Sequence, residues 1–238
     1  MKIALLETGA PPDTIRDLFP SYADMFVDLV GAEIDGLTFE AHALMDGAPI
    51  PATDAYDGAL VTGSRLGVYD EAPWMDVLKA HVREAAGLRK PMVGVCFGHQ
   101  LIADALGGDV RKSEKGWGLG RHTYALKGAH PWIADPTDSF ALAVSHQDQV
   151  LAPPADAETI ASSEFTPHAA LLYAGAPILS FQGHPEFNDS FAAALYNARR
   201  DNPLTDDQVD TAVESLAQPE DNSRVGRWIG RFFLQNRS

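Results

Sequence analysis

The sequence predicts an α/β fold, an open and mostly parallel sheet with helices on both faces and a mixed or antiparallel extension. Three observations carry this. Over residues 2–107 short apolar runs alternate with segments of helical periodicity, and parallel strands need such crossover helices to connect them. Between residues 108 and 181 the short apolar runs follow one another with only turns between them, the pattern of antiparallel pairing. After residue 190 three amphipathic segments follow. No internal repeat and no linker-like stretch interrupts the 238 residues, so 1–238 is read as a single domain with C-terminal helices from about 190.

The elements are justified in order. Lys2–Glu7, KIALLE, is a short buried strand, and TGAPPD after it is a loop. Thr14 to Val30 carries apolar residues at helical spacing (Ile15, Leu18, Phe19, Met25, Phe26, Leu29), although Pro20 interrupts the run. LTFEAHA and YDGALVTGS are strands, the second running into a Gly-Ser turn. Pro73 to Ala86 is a helix with proline in its first turn. KPMVGVC is a further apolar strand, and HQLIADALG a helix closed by Gly107 and Gly108. RHTYAL, SFALAVS, AETIASS, AALLYA and APILSF supply the extension. The last helices span 190–200, 205–216 and 223–233. Val225, Trp228, Ile229, Phe232 and Phe233 in the last of them recur at the spacing of a packed face.

Composition narrows the function classes. The chain has 18 Lys and Arg against 33 Asp and Glu, a formal net charge of −15 with no basic stripe, which argues against nucleic acid. No apolar stretch approaches the roughly 20 residues of a membrane span. MKIALLETGAPPD lacks a signal-type cleavage pattern, and one cysteine permits no internal disulfide, so a reducing cytoplasm is the expected location. No C-x-x-C or H-E-x-x-H cluster offers a metal site, and neither a metal nor a cofactor is expected.

That single cysteine, Cys96, lies in GVCFG, the form G-x-C-x-G, between an apolar strand and the start of a helix. A nucleophile elbow has this spacing, because a sharp strand-to-helix turn needs glycines where side chains would collide. The helix N-terminus offers unpaired N–H groups and a positive dipole end that favour thiolate. The N–H of Phe97 would face a developing oxyanion. The plain alternative is a small buried cysteine with a packing role. A nucleophile also needs a base and a group to orient it. His99 follows on the same helix and is expected to point away from the sulfur, and His122, His130 and His168 lie in polar contexts that read as solvated surface. His184 follows the apolar strand PILSFQG and stands two residues before Glu186, with Pro185 fixing the turn, so that the carboxylate can bond one ring nitrogen and leave the other for the thiol.

GVCFGHQ followed by SFQGHPEF resembles the class I glutamine amidotransferases, over residues of about 40 to 190. The resemblance implies a flavodoxin-like open sheet and a Cys-His-Glu triad: Cys96 the nucleophile, His184 the general base and acid, Glu186 its orienting group. It also implies that Gln100 contacts the amino-acid end of the substrate. LVTGSRLGVYD corresponds to the family's glycine-rich oxyanion strand, placing Gly63 and Ser64 beside Phe97, with Ser64 where a second glycine is usual. VSHQDQV resembles the Ser-His-Gly-Asp stretch whose backbone holds the substrate, here Ser145, His146 and Gln147, the last in place of glycine. Without the family, SHQDQV is simply a polar turn.

The implied reaction is attack of thiolate on a γ-glutamyl amide, a glutamyl thioester on Cys96, and its hydrolysis. A glutamine amidotransferase or glutaminase of this kind would pass ammonia to a synthetase, and with no such domain in this chain a separate synthetase subunit is implied. A stand-alone γ-glutamyl peptidase acting on γ-glutamyl peptides or glutathione conjugates is the alternative, and the SHQD and FQGHPE variants here look more like those stand-alone members. A non-enzymatic binding module is disfavoured because all three triad residues are present. The pocket beyond the scissile bond should separate the two enzymes, with Arg65, Tyr69, Trp74 and Trp117 as candidate walls.

Overall fold

The computed structural model describes residues 1–31, 34–135 and 137–237. Eleven strands are named in chain order: β1 Lys2–Glu7, β2 Thr38–Ala43, β3 Gly58–Val61, β4 Met92–Val95, β5 Asp109–Lys112, β6 Gly118–Leu126, β7 Ser139–His146, β8 Asp148–Ala152, β9 Ala157–Ser162, β10 Ala170–Tyr173 and β11 Ile178–Phe181. The helices are α1 Tyr22–Gly31, α2 Met75–Gly87, α3 Phe97–Ala105, α4 Asp189–Ala198, α5 Asp206–Ser215 and α6 Asn222–Gln235. Nine strands form one sheet in the order β2-β1-β3-β4-β11-β10-β9-β6-β7. Pairing is parallel from β2 through β11 and antiparallel from β11 outward to β7. The parallel half and the antiparallel extension therefore lie where the sequence put them.

Strands buried on both faces explain the continuous apolar runs. GALV in β3, MVGV in β4 and ILSF in β11 are buried throughout. One face is covered by α1 and α6, and Val225, Trp228, Ile229, Phe232 and Phe233 are all buried there. Trp228 meets Phe140 edge to face at 5.4 Å. The opposite face packs on α2 and α3 through Leu78, Val82, Leu101 and Ile102. A third apolar cluster joins α4 and α5 to Tyr22 of α1.

Three boundaries differ from the sequence reading. The helix expected over 14–30 is a short 3₁₀ turn at Asp13–Ile15 and then α1, which starts after Pro20 because proline breaks the interior hydrogen-bond ladder. Helix α2 begins at Met75, two residues beyond Pro73. The polar turn read at SHQDQV is instead the end of β7 and the start of β8, which pairs antiparallel with β5 in a separate two-stranded sheet. This ribbon folds beside the C-terminal end of the parallel strands and supplies a wall of the site.

Candidate active site

Three neighbouring parallel strands carry the candidate residues to one edge. Gly63 and Ser64 follow β3, Cys96 follows β4 and His184 follows β11, at the carboxyl ends where open α/β sheets bind ligands. Cys96 is the hinge between β4 and α3, with φ 52° and ψ −102°, a conformation that costs an L-residue roughly 1–3 kcal/mol. Its N–H donates to the Phe181 carbonyl at 2.8 Å and its carbonyl accepts from Gln100 N–H at 3.0 Å, so the turn is held from both sides. The flanking glycines are required by space. A Cβ on Gly94 would stand 2.6 Å from the Gly98 carbonyl, and one on Gly98 would stand 2.2 Å from the Val61 carbonyl oxygen. The N–H of Phe97, first residue of α3, has no intrahelical acceptor and stands next to the thiol.

His184 is fixed on three sides. Its backbone N–H donates to the Ala143 carbonyl at 3.0 Å, its ring stacks on Phe187 at 3.7 Å, and Nδ1 pairs with Glu186 Oε1 at 2.7 Å. The remaining ring nitrogen is left for its hydrogen bond with Cys96. Gly63 admits this ring, since a Cβ there would lie 3.0 Å from His184 Cε1. Burial by itself pushes the imidazole down, but the charges of Glu186 and Cys96 and the hydrogen bonds to both outweigh it, raising His184 to about 10. The ring is therefore held as the protonated imidazolium, bonded to Glu186 and facing Cys96.

Cys96, at 5% exposure, lines a cavity of about 390 Å³ with Gln100, Ser145, His146, Gln147 and Asp148. Gln100 Nε2 donates to the Asp148 carbonyl at 2.8 Å and to Gln182 Oε1 at 3.0 Å. The group left to face a ligand is its Oε1, an acceptor suited to an ammonium. His146 Nδ1 shares the Asp148 carbonyl at 3.1 Å, and burial holds this imidazole down at about 3, neutral. Ser145 Oγ accepts from Arg199 Nη1 at 2.6 Å. Neither Ser64 nor Gln147 adopts a positive φ, so the two departures from glycine bring no backbone strain.

A second groove of about 480 Å³ adjoins the first through Ser64, Arg65, Leu66 and Arg199, and is lined besides by the Thr8–Asp13 loop, Arg16, Tyr22 and Trp74. The predicted wall residues thus divide. Tyr69 and Trp117 line the Gln100 cavity, Trp74 lines the second groove with its ring edge-on to Phe97 at 5.9 Å, and Arg65 borders both. Tyr69 bonds the Asp148 carboxylate, and Arg199 lies over the Trp117 ring at 5.9 Å. Tyr22, Gln182, Phe187 and Arg199 were not singled out in the sequence, and only Gln182 and Phe187 carried a signal, their closeness to His184.

The other histidines sit elsewhere. His99 is fully buried and bonds Ser180 Oγ at 2.8 Å. His122, His130 and His168 are half-buried rather than solvated: His122 against Phe165, His130 stacked on Trp132 and His168 bonded to Thr159. Among the described residues no group of three or more His, Cys, Asp or Glu could hold a metal ion. No helix among them is long and apolar enough to cross a membrane.

The family profile described as glutamine amidotransferase class-I matches residues 31–196. The chain belongs to this family. Gamma-glutamyl peptidase 2 of Arabidopsis thaliana is 25% identical over 99% of this chain and 96% of its own. A protein of Sulfolobus acidocaldarius, named as a subunit of glutamine-hydrolysing GMP synthase, is 28% identical over 69% of this chain and 86% of its own. A solved glutamine amidotransferase of Thermotoga maritima superposes with a TM-score of 0.72 at 16% identity, covering 99% of this chain and 96% of that one. This class I amidotransferase-family enzyme thus shares its fold with the family's solved members along nearly its whole length.

Proposed function

We propose that this chain is a stand-alone γ-glutamyl peptidase that hydrolyses a γ-glutamyl amide through a glutamyl thioester on Cys96. The observation that carries the reading is the second groove. Ammonia needs no space beyond the scissile bond, whereas a groove of about 480 Å³ bordered by Arg65, Arg199 and Trp74 suits a peptide with a free carboxylate. Arg65 has no ion-pair partner among the described residues, in a chain of net charge −15. Full-length similarity to a protein named as a γ-glutamyl peptidase supports the same reading.

In the mechanism, the glutamyl end occupies the cavity of Gln100 and Ser145–Asp148. The Cys96 thiolate attacks the γ-carbonyl, and the N–H of Phe97 with the Gly63–Ser64 backbone receives the oxyanion. His184 gives its proton to the departing nitrogen, Glu186 holding the ring through Nδ1. Water then attacks the thioester, its proton passing to His184 as the carbon–sulfur bond breaks. No step calls on a metal or cofactor.

The test is release of glutamate by the purified protein from glutamine, glutathione and a γ-glutamyl dipeptide in parallel. Turnover of the two peptides well above that of glutamine is expected. Turnover of glutamine with little on the peptides would favour the second reading, an amidotransferase subunit supplying ammonia to a separate synthetase, as the name of the Sulfolobus relative suggests.

A further inference from the structure

Between these two cavities lies a third of about 10 Å³, lined by Tyr22, Gly63, Ser64, Cys96, Ser145, His184, Phe187, Leu195 and Arg199. Its volume is that of one water, and a water settles only where it finds two to four polar partners. Polar side chains on several sides (Tyr22, Ser145, His184, Arg199) meet that need, while Phe187 and Leu195 close the apolar sides. The cavity shares Tyr22, Ser64 and Arg199 with the groove assigned to the leaving group, so a water can enter as the amine departs. Gly63 and Ser64, which share the oxyanion position with Phe97, are among its walls, so a water there lies beside the thioester carbonyl.

Tyr22 is 6% exposed, yet its hydroxyl has no hydrogen-bond partner among the described residues. It is placed firmly. Glu7, buried at the end of β1, accepts from the N–H of Ala23 at 3.1 Å in the first turn of α1. The Tyr22 ring packs on Phe187 at 6.0 Å, the same ring that stacks on His184. Burial pushes the phenol up, with the Arg199 charge opposing and those of Glu186, Cys96 and Glu7 adding, so it stays a neutral hydroxyl.

We propose that this cavity seats the hydrolytic water and that the Tyr22 hydroxyl positions it between His184 and the glutamyl thioester. The inference rests on the γ-glutamyl hydrolysis reading above. Once Cys96 is acylated it carries no charge, so part of what raised His184 is gone and the imidazole can accept a proton. The water oxygen bonds the carbonyl carbon, its proton passes to the free nitrogen of His184, and the electron pair of the carbon–sulfur bond returns to sulfur. Tyr22 lies outside the stretch matched by the family profile.

The experiment is rapid-quench hydrolysis of glutathione, with cysteinylglycine and glutamate measured separately. The wild type is expected to release both in step. Tyr22→Phe keeps the ring packing and removes only the hydroxyl. It should release one equivalent of cysteinylglycine in a burst while glutamate lags, with kcat down about ten- to a hundred-fold and glutamyl-enzyme visible by intact mass. Hydroxylamine, a nucleophile that does not depend on the ordered water, should restore turnover and divert product to γ-glutamyl hydroxamate. An unchanged kcat overturns the proposal. So does a slow first turnover without accumulated acyl-enzyme, which would place Tyr22 in binding or acylation. A wild type that releases neither product from any γ-glutamyl substrate sinks the hydrolysis reading itself, and this one with it.

Discussion

The two cavities that meet at Ser64, Arg65 and Arg199 are built differently. On the Gln100 side the polar groups are tied to one another: Gln100 to Gln182 and Asp148, His146 to the same Asp148 carbonyl. All four fall within the stretch matched by the family profile. On the Arg65 side the Thr8–Asp13 loop, Arg16 and Tyr22 lie outside that stretch while Ser64, Arg65 and Trp74 lie within it, Arg199 borders both cavities, and Arg65 has no ion-pair partner among the described residues. A pre-tied network fits one constant group, since its ordering is complete before binding. An exposed, unpaired cation on a loop, as Arg65 is, fits a group that varies from one member of a family to another. The γ-glutamyl end is thus the constant half of the proposed substrate and the leaving group the variable half.

Substitutions can break that contrast. Cys96→Ser should abolish turnover of every substrate, by at least on the order of 10⁴-fold, with the thermal midpoint little changed. Residual turnover near wild type would remove the thioester mechanism. Glu186→Gln should lower kcat on the order of 10³-fold for all substrates, because it removes the charge that orients and holds His184. It also carries a pH signature. The folded-state pKa of His184 lies above the unfolded 6.5, so its stabilisation is complete below about 6.5 and is lost as pH rises to about 10. Denaturant titrations should therefore show the stability gap between wild type and Glu186→Gln closing over that interval. A gap independent of pH there would contradict the ion pair.

Gln100→Ala should cost kcat/KM about 10- to 100-fold on glutamine and γ-glutamyl peptides alike, the loss of one hydrogen bond to a charged group. A loss confined to peptides would mean the two sides are assigned the wrong way round. Arg199→Gln should lower the peptide-over-glutamine ratio about ten-fold. Arg65→Gln, at an exposed position, should lower it only about three-fold. Amidation of the peptide carboxylate should reproduce both effects in the wild type and leave the variants indifferent.

The contrast also explains how much could be read from the sequence. The strand-to-helix turn at Cys96 was legible because its cause is local: Gly94 and Gly98 are dictated by backbone contacts within a few residues and the adjacent strand. His184 and Glu186 were legible because Pro185 fixes two side chains that are neighbours in sequence. The break at Pro20 was legible, but the start of α1 was not, because apolar periodicity continues through a residue that cannot continue the ladder. The β5–β8 ribbon was missed because its strands are four and five residues long and its partners lie far apart in the chain, Lys112 pairing with Asp148.

By itself the sequence determined the parallel core, its antiparallel extension, the tight turn at Cys96 and the pairing of His184 with Glu186, all features set by short-range sterics and hydrophobic periodicity. Only the tertiary structure decided which residues share a wall with the thiol. Tyr22 and Arg199 line a cavity with Cys96 from α1 and the end of α4, and Gln182, just beyond β11, bonds Gln100, segments that follow no common spacing. A cavity is a property of what several chain segments leave unfilled when they pack, and no local pattern records it.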